Sequence, residues 1–238
     1  MPLKSMEPFG LALKEFYNGN KEAKVIFYRD DGFKEDLYVS NYFRTEKEFS
    51  SLEKYAISKC RGNILDIGAG VGPHALALQN LGFVVLAIDI STHACDIMKK
   101  RGISNVRHGS VYDLKEEKFD TILLMGRSIG FVEDLQGLKK FFRYCKTLLN
   151  PEGFILLDSL DVRITTNSDH LSYHERNRHL GHYFGEIRLY MEYKGLLGER
   201  FQLLFIDPQT LRNIASKNDF ECEIVKEEKN GDFLAKIY

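Results

Sequence analysis

The chain lacks most of the features that narrow a function quickly. No apolar run approaches the roughly 20 residues needed to cross a bilayer. The segment Met1 to Gly10 holds one Lys and no apolar stretch of signal-peptide length. A membrane-embedded or exported protein is therefore not expected, and the location expected is the cytoplasm. Neither charge dominates: 33 Lys and Arg face 34 Asp and Glu, a net charge of −1. Nucleic-acid binders usually carry a basic surplus, because phosphate neutralisation supplies much of their affinity, so no nucleic-acid partner is expected. Cysteine is scarce. Cys60, Cys95, Cys145 and Cys222 lie far apart and form no CxxC pair, which points to packed free thiols in a reducing compartment rather than a disulfide framework. There is no internal repeat and no low-complexity linker, and Pro occurs only five times.

What remains is a chain of 238 residues, 44% hydrophobic and 28% charged. That is ordinary globular usage, enough for one sizeable core and short for two full domains. A homodimer is left open.

The lead-in opens with a short helix around Leu11 to Phe16, stopped by Asn18-Gly19-Asn20, and an extended stretch from Val25 to Tyr28 runs into the turn signal Asp30-Asp31-Gly32. Thr45 with Glu48 has capping-box spacing and predicts a helix whose apolar face is Phe49, Leu52, Tyr55 and Ala56. From Asn63 the pattern alternates. Apolar strands are predicted at Asn63 to Ile67, Phe83 to Ile88, from Val106, at Phe119 to Met125 and at Phe154 to Leu157. Helices fall between them, including Pro73 to Leu81, one capped by Ser91, and one along Leu135 to Leu149. Strands separated by helices favour a parallel sheet with right-handed crossovers. The last third changes character. Glu186 to Lys194 alternates apolar and polar, Phe201 to Ile206 follows as its antiparallel partner, and a hairpin is predicted around Asn230-Gly231. The fold class expected is α/β: a doubly wound, mostly parallel seven-stranded sheet with antiparallel C-terminal strands.

Three loops carry the chemistry. Asp66-Ile67-Gly68-Ala69-Gly70-Val71-Gly72 sits between a strand and a helix, where glycines allow a sharp turn and close approach to a ligand. Asp89 ends the next strand, where a carboxylate can accept ribose hydroxyls. Gly109-Ser110-Val111-Tyr112-Asp113 follows the third strand, and such a small and polar loop can edge a nucleobase. In this order and spacing the loops resemble the class I S-adenosylmethionine-dependent methyltransferases, over about Gly62 to Ser159. The resemblance implies S-adenosylmethionine as cofactor. Asp66, Gly68, Ala69, Gly70 and Gly72 would then surround its methionine portion, Asp89 would hold the ribose, and Ile90, Ser110 and Val111 would contact the adenine. Met125, Gly126 and Arg127 match the stretch that contacts the methionine portion and faces the acceptor. His74, just inside the following helix, is given no role.

A nicotinamide-dependent oxidoreductase is the alternative for a Gly-rich loop so placed. Its fingerprint is GxGxxG, whereas here Gly72 comes one residue too early and Pro73 stands where that pattern puts its last Gly. A protein that binds S-adenosylmethionine without turnover would keep the same loops. Residues 1–60 are expected to act as a lead-in or lid, with the aromatic stretch Tyr28 to Arg44 folding over the cofactor. Residues 61–238 form the methyltransferase domain, with an insertion at 159–207 that shapes the acceptor site. Within it lie His170, His174, His179 and His182. No HExxH motif or Cys partner accompanies them, so no metal is expected. His174 and His179 are the candidate bases for a small-molecule acceptor.

Overall fold

The structure, a computed structural model, describes residues 3–238. Helix α1 (Glu7–Tyr17) takes Pro8 into its first turn, where a missing N–H costs nothing, and buries Phe9, Ala12, Leu13 and Phe16 at helical spacing. Strands β1 (Lys24–Arg29) and β2 (Lys34–Tyr38) pair antiparallel about the Asp30-Asp31-Gly32 turn, Val25 opposite Leu37. The helix expected to open at Thr45 opens later. The Thr45–Glu48 capping box is present, but it closes only a 3-10 turn, and Phe49 returns to extended backbone. A second capping box, Ser50 with Glu53, starts α2 (Ser51–Lys59). The later start turns Leu52, Ala56 and Ile57 into the core.

The strand–helix alternation then runs as β3 (Asn63–Ile67), α3 (Pro73–Asn80), β4 (Val84–Asp89), α4 (Thr92–Lys100), β5 (Val106–His108), β6 (Phe119–Leu124), α5 (Leu135–Leu148) and β7 (Leu149–Leu160). Strand β7 is longer than its apolar core suggested, and the extension carries Asp158 and Ser159 inside the sheet. The rest of the chain is α6 (Ser168–His179), β8 (Glu186–Tyr193), β9 (Leu196–Leu197), β10 (Phe201–Leu204), α7 (Pro208–Ser216), β11 (Cys222–Glu227) and β12 (Asp232–Ile237).

The main sheet has seven strands in the order β11-β12-β7-β6-β3-β4-β5. The five from β7 to β5 are parallel, and β12 and β11 close that edge antiparallel. This is the α/β sheet expected from the sequence. The winding reverses between β3 and β6, and ligands of open α/β sheets bind at the carboxyl ends of strands at such a point. One core cluster fills one side of the sheet through Phe141, Phe142, Leu211 and Ile214, and another fills the opposite side through Leu52, Ala56, Ala75 and Leu78.

The alternating segment at Glu186 does form a strand, but in a second sheet. Its order is β10-β8-β1-β2, with β9 paired beside β8. Strand β1 lies antiparallel to β8, Phe27 opposite Met191, so the lead-in and the 159–207 segment complete one antiparallel layer. That layer packs on α1 and α4 through Leu13, Val25, Ala94, Ile97, Leu189 and Met191. Tyr28 stacks on Tyr190 within it, ring centroids 4.9 Å apart.

Ala12, Leu13 and Val25 have 0% exposure. Burying a Val- or Leu-sized side chain contributes roughly 1.5–3 kcal/mol against a total margin of roughly 5–15 kcal/mol. A chain lacking residues 1–40 loses these side chains and leaves one edge of β8 unpaired. It is expected to aggregate or to melt without a cooperative transition. A soluble truncated chain with a single sharp melt would show that the second sheet is dispensable for folding.

Candidate functional site

Between β3 and α3 the backbone enters left-handed space three times, at Gly68, Gly70 and Gly72, with φ of +68°, +57° and +75°. At Gly72 a Cβ would also fall 2.1 Å from the Ile103 Cδ1 atom, so only glycine fits without movement. The loop is pinned to β4. The Gly68 and Ala69 amides both donate to the Ile88 carbonyl, at 2.9 and 3.2 Å, and the Gly72 amide donates to the Ala69 carbonyl at 2.8 Å. The Gly70 amide donates to Asp89 Oδ2 at 2.8 Å.

Asp89 uses its other oxygen to accept the Ser91 amide at 2.8 Å. An ionised carboxylate has about four lone-pair sites, so capacity remains for a ligand. Beside it, the Gly109 amide donates to the Asp89 carbonyl at 3.0 Å, which brings the loop after β5 into the same place. Ser110 there caps a 3-10 turn at Val111–Asp113, and Val111 is packed into the core. Ile90 is half-buried, its carbonyl 3.0 Å from His108 Nε2.

The loop after β6 forms the opposite wall. Met125 is buried in the core, and Gly126 and Arg127 both take positive φ. Their amides donate to the two oxygens of Asp158, at 3.2 and 2.7 Å. The Arg127 guanidinium turns away to Asp232 at 2.6 Å, so its side chain is already paired. Ser128 donates to the Ile67 carbonyl at 2.9 Å and ties this loop to the end of β3. The structure thus gathers Asp66, Gly68, Ala69, Gly70, Gly72, Asp89, Ile90, Ser110, Gly126 and Arg127 about the carboxyl ends of neighbouring strands.

His174 and His179 lie on α6 instead. His174 is buried against the Phe184 ring, and burial pushes its pKa down to about 4, with the Arg178 charge adding to the shift. His179 is exposed, with Nδ1 3.1 Å from the Glu175 carbonyl. His170 and His182 face Arg29 and Glu186, so the four imidazoles of this segment take four different partners.

Several residues of the site were not singled out in the sequence. Asp158 was hidden at the end of an apolar run, where a lone carboxylate in Phe-Ile-Leu-Leu-Asp was the available signal. His74, in the first turn of α3, is buried with Nε2 2.7 Å from Glu53 Oε1. Glu53 is also held by Arg44, whose Nε lies 3.1 Å away, and by the Ser50 amide at 2.8 Å. Burial raises the pKa of Glu53, but hydrogen bonds from His74, Arg44 and Ser50 outweigh it and hold the carboxyl well below the usual range. Of the aromatic lead-in, the part that reaches the loop is Tyr42. A ring carbon lies 4.0 Å from where a Gly70 Cβ would stand, and the ring meets Phe9 edge-on at 4.9 Å.

The electrostatics of the pocket favour a cation. Asp66 is 1% exposed, and its Oδ2 has no hydrogen-bond partner. Burial pushes its pKa up to about 6; His74 opposes the shift and Asp89 adds to it. Burial raises Asp158 to about 6 as well, against the Arg127 amide and His74. Burial also raises Asp89, against the amides of Ser91 and Gly70. A positive ligand would relieve three desolvated carboxylates at once. A dinucleotide pyrophosphate would meet the reverse: carboxylates in the pocket, and the Gly68, Ala69, Gly70 and Gly72 amides already committed.

Comparison with known proteins agrees. Residues 65–157 match a methyltransferase domain family. A SAM-dependent methyltransferase from Bacteroides fragilis, solved in complex with S-adenosyl-L-homocysteine, is 36% identical, with a TM-score of 0.86 over 100% of this chain and 96% of its own. The chain belongs to the S-adenosylmethionine-dependent methyltransferases. The CcbJ methyltransferase of Streptomyces caelestis shares the fold at 13% identity, with a TM-score of 0.60 over 78% of this chain and 92% of that one. The ubiquinone biosynthesis O-methyltransferase of Haemophilus ducreyi is 28% identical over 110 residues, which is 41% of this chain and 45% of that relative.

Asp66 and Asp158 have folded pKa values near 6, above the ordinary 3.8. The folded protein therefore binds more protons than the unfolded one between those values. Stability from these groups is present below the ordinary pKa and is lost as pH rises through about 6. Asp66→Asn keeps the shape and removes one charge. In the unloaded protein at pH 7.5 it is expected to gain about 1–2 kcal/mol, read as a higher Tm. The gain should shrink as pH falls through about 6 and vanish only below the ordinary 3.8, where Asp66 is protonated in the folded and the unfolded chain alike. A variant less stable than the parent at pH 7.5 would contradict this account of the site.

Proposed function

We propose that the protein methylates a small polar molecule, with S-adenosylmethionine seated at the Gly68–Gly72 loop and the acceptor held under the 159–207 segment. The observation that carries the cofactor assignment is the unpartnered Oδ2 of Asp66, buried beside Asp89 in a loop whose turns need glycine. The bound cofactor supplies a methyl group on a sulfonium, and its departure as a neutral thioether calls for no acid. The chain's work is therefore alignment, water exclusion and, for an acceptor that carries a proton, removal of that proton.

Asp89 has capacity left for ribose hydroxyls after serving Gly70 and Ser91. Ile90, Ser110 and Val111 border the adenine side. Asp66, Gly68, Ala69, Gly70, Gly72, Met125, Gly126 and Arg127 enclose the methionine side, and Arg127 contributes its backbone because its guanidinium is taken by Asp232. Of the two candidate bases, His174 is the buried one: with its pKa pushed down to about 4 it is neutral at physiological pH, with a lone pair free for an acceptor's proton, though as a weak base. His179 remains the second candidate. The even charge of the chain supports a small acceptor over nucleic acid. Among the described residues no helix is long and apolar enough to cross a membrane, and the unpaired cysteines suit the cytoplasm.

Calorimetry tests the cofactor. Asp89→Ala is expected to weaken S-adenosylmethionine binding about 100-fold or more, since two hydrogen bonds to a charged acceptor are lost at roughly 1.5–3 kcal/mol each. Binding of a nicotinamide dinucleotide with none of S-adenosylmethionine would sink the assignment. Methyl incorporation across pools of small molecules, peptides and nucleic acids tests the acceptor class. With the acceptor in hand, His174→Ala should lower kcat at least tenfold while cofactor Kd stays constant, an effect of about 1.4 kcal/mol. Full activity in both the His174→Ala and His179→Ala proteins would remove either as a base.

A further inference from the structure

A chain of polar side chains, with an Arg44–Glu53 ion pair at one end, joins the lead-in to the cofactor loop. Arg44 follows the 3-10 turn Val39–Phe43 and bonds Glu53 on α2, and Glu53 bonds His74 on α3. Glu53 and His74 are each 5% exposed. Buried ionic links are a costly means of holding two helices, because the desolvation they require offsets much of their attraction. The contact between α2 and α3 already has apolar packing from Leu52, Ala56, Ala75 and Leu78. What the ionic link adds is a fixed place for the turn before Arg44, a short segment that carries Tyr42. Buried, fully bonded polar networks select one arrangement where apolar contacts tolerate several. The arrangement selected here sets the Tyr42 ring 4.0 Å from the Cβ position of Gly70, over the loop whose amide is bonded to Asp89.

We propose that His74 is a positioning residue for methyl transfer: through Glu53 and Arg44 it latches Tyr42 against Gly70, so that the ring closes the methionine side of the cofactor pocket. The pocket's identity rests on the cofactor assignment above; the latch itself does not. The His74 side chain bonds Glu53 rather than a loop amide or Asp89; its charge also bears on Asp66 and Asp158, and the emission of the unloaded protein separates the latch from that effect.

The chain contains no Trp, so Tyr42→Trp gives it a single indole at the ring in question. Emission and acrylamide quenching are read first in the unloaded protein, and S-adenosylhomocysteine is then titrated. Adding His74→Ala to the Tyr42→Trp protein is expected to shift emission to the red, increase quenching and weaken S-adenosylhomocysteine by about tenfold or more. His74→Gln places an amide donor near the Nε2 position and should restore both readouts to within about threefold of the parent. Arg44→Gln breaks the latch at its half-buried end, leaves the α2–α3 packing intact, and should reproduce the His74→Ala result even if that variant folds poorly. Unchanged emission in the Arg44→Gln protein overturns the proposal. So does a red shift with cofactor affinity retained, or a His74→Gln protein as defective as His74→Ala. Failure of the wild-type chain to bind S-adenosylhomocysteine would strike the cofactor assignment alone, because the emission of the unloaded protein reads the latch without any ligand.

Discussion

Asp66 sits on a parallel strand in the middle of the main sheet with its carboxylate in the interior, one oxygen supported by the Ala75 amide and the other without a partner. A fold tolerates such a group only when the surrounding structure holds it there and something later compensates for it. The surroundings here are a doubly wound sheet with apolar cores on both sides. A positive ligand at the carboxyl ends of the strands would supply that compensation. Asp158 lies on β7 two residues beyond the level of Asp66, with the amides of Gly126 and Arg127 turned toward it by two successive residues of positive φ. The Gly-rich loop, the loop after β6 and the end of β7 are thus organised around buried negative charge. The same arrangement that suits a sulfonium disfavours a pyrophosphate.

The second sheet follows from a different constraint. Strand β8 carries Leu189, Met191 and Tyr193 on one face and needs partners for its edges. On one side the partner is β1, from the far end of the chain, which β2 pairs in turn, and on the other side the partners are β9 and β10. This joins the lead-in to the segment that follows α6. It also delivers the Val39–Phe43 turn to the cofactor loop directly after β2 ends. The antiparallel layer therefore supports the lead-in, and what reaches the pocket is the short turn beyond it. Tyr28 belongs to the layer and stacks on Tyr190, whereas Tyr42 belongs to the turn and meets Gly70.

Much of the main domain could be read residue by residue, because its signals are local. A short apolar run bounded by glycine becomes a buried strand, and Asp-x-Gly-x-Gly-x-Gly between a strand and a helix requires left-handed backbone that glycine supplies at little strain. Asp89 was legible for the same reason, since a strand's last residue has few places to point. Thr45 with Glu48 was misleading because a capping box satisfies backbone donors whether or not a full helix follows. Ser50 with Glu53, five residues on, has the same chemistry and lies where the apolar face can be buried.

By itself the sequence determined the sheet class, the likeness to the methyltransferases, the absence of a basic surplus for nucleic acid, and three loops that the fold gathers at the carboxyl ends of neighbouring strands. Each of these rests on neighbours within a few residues or on composition. Only the tertiary structure decided that β1 pairs with β8, that Asp158 receives the amides after β6, that Arg127 is taken by Asp232, and that Arg44, Glu53 and His74 join into one buried link. These pairings connect residues far apart along the chain. Each member satisfies an ordinary local pattern, and its partner is chosen by the packing of whole sheets and helices.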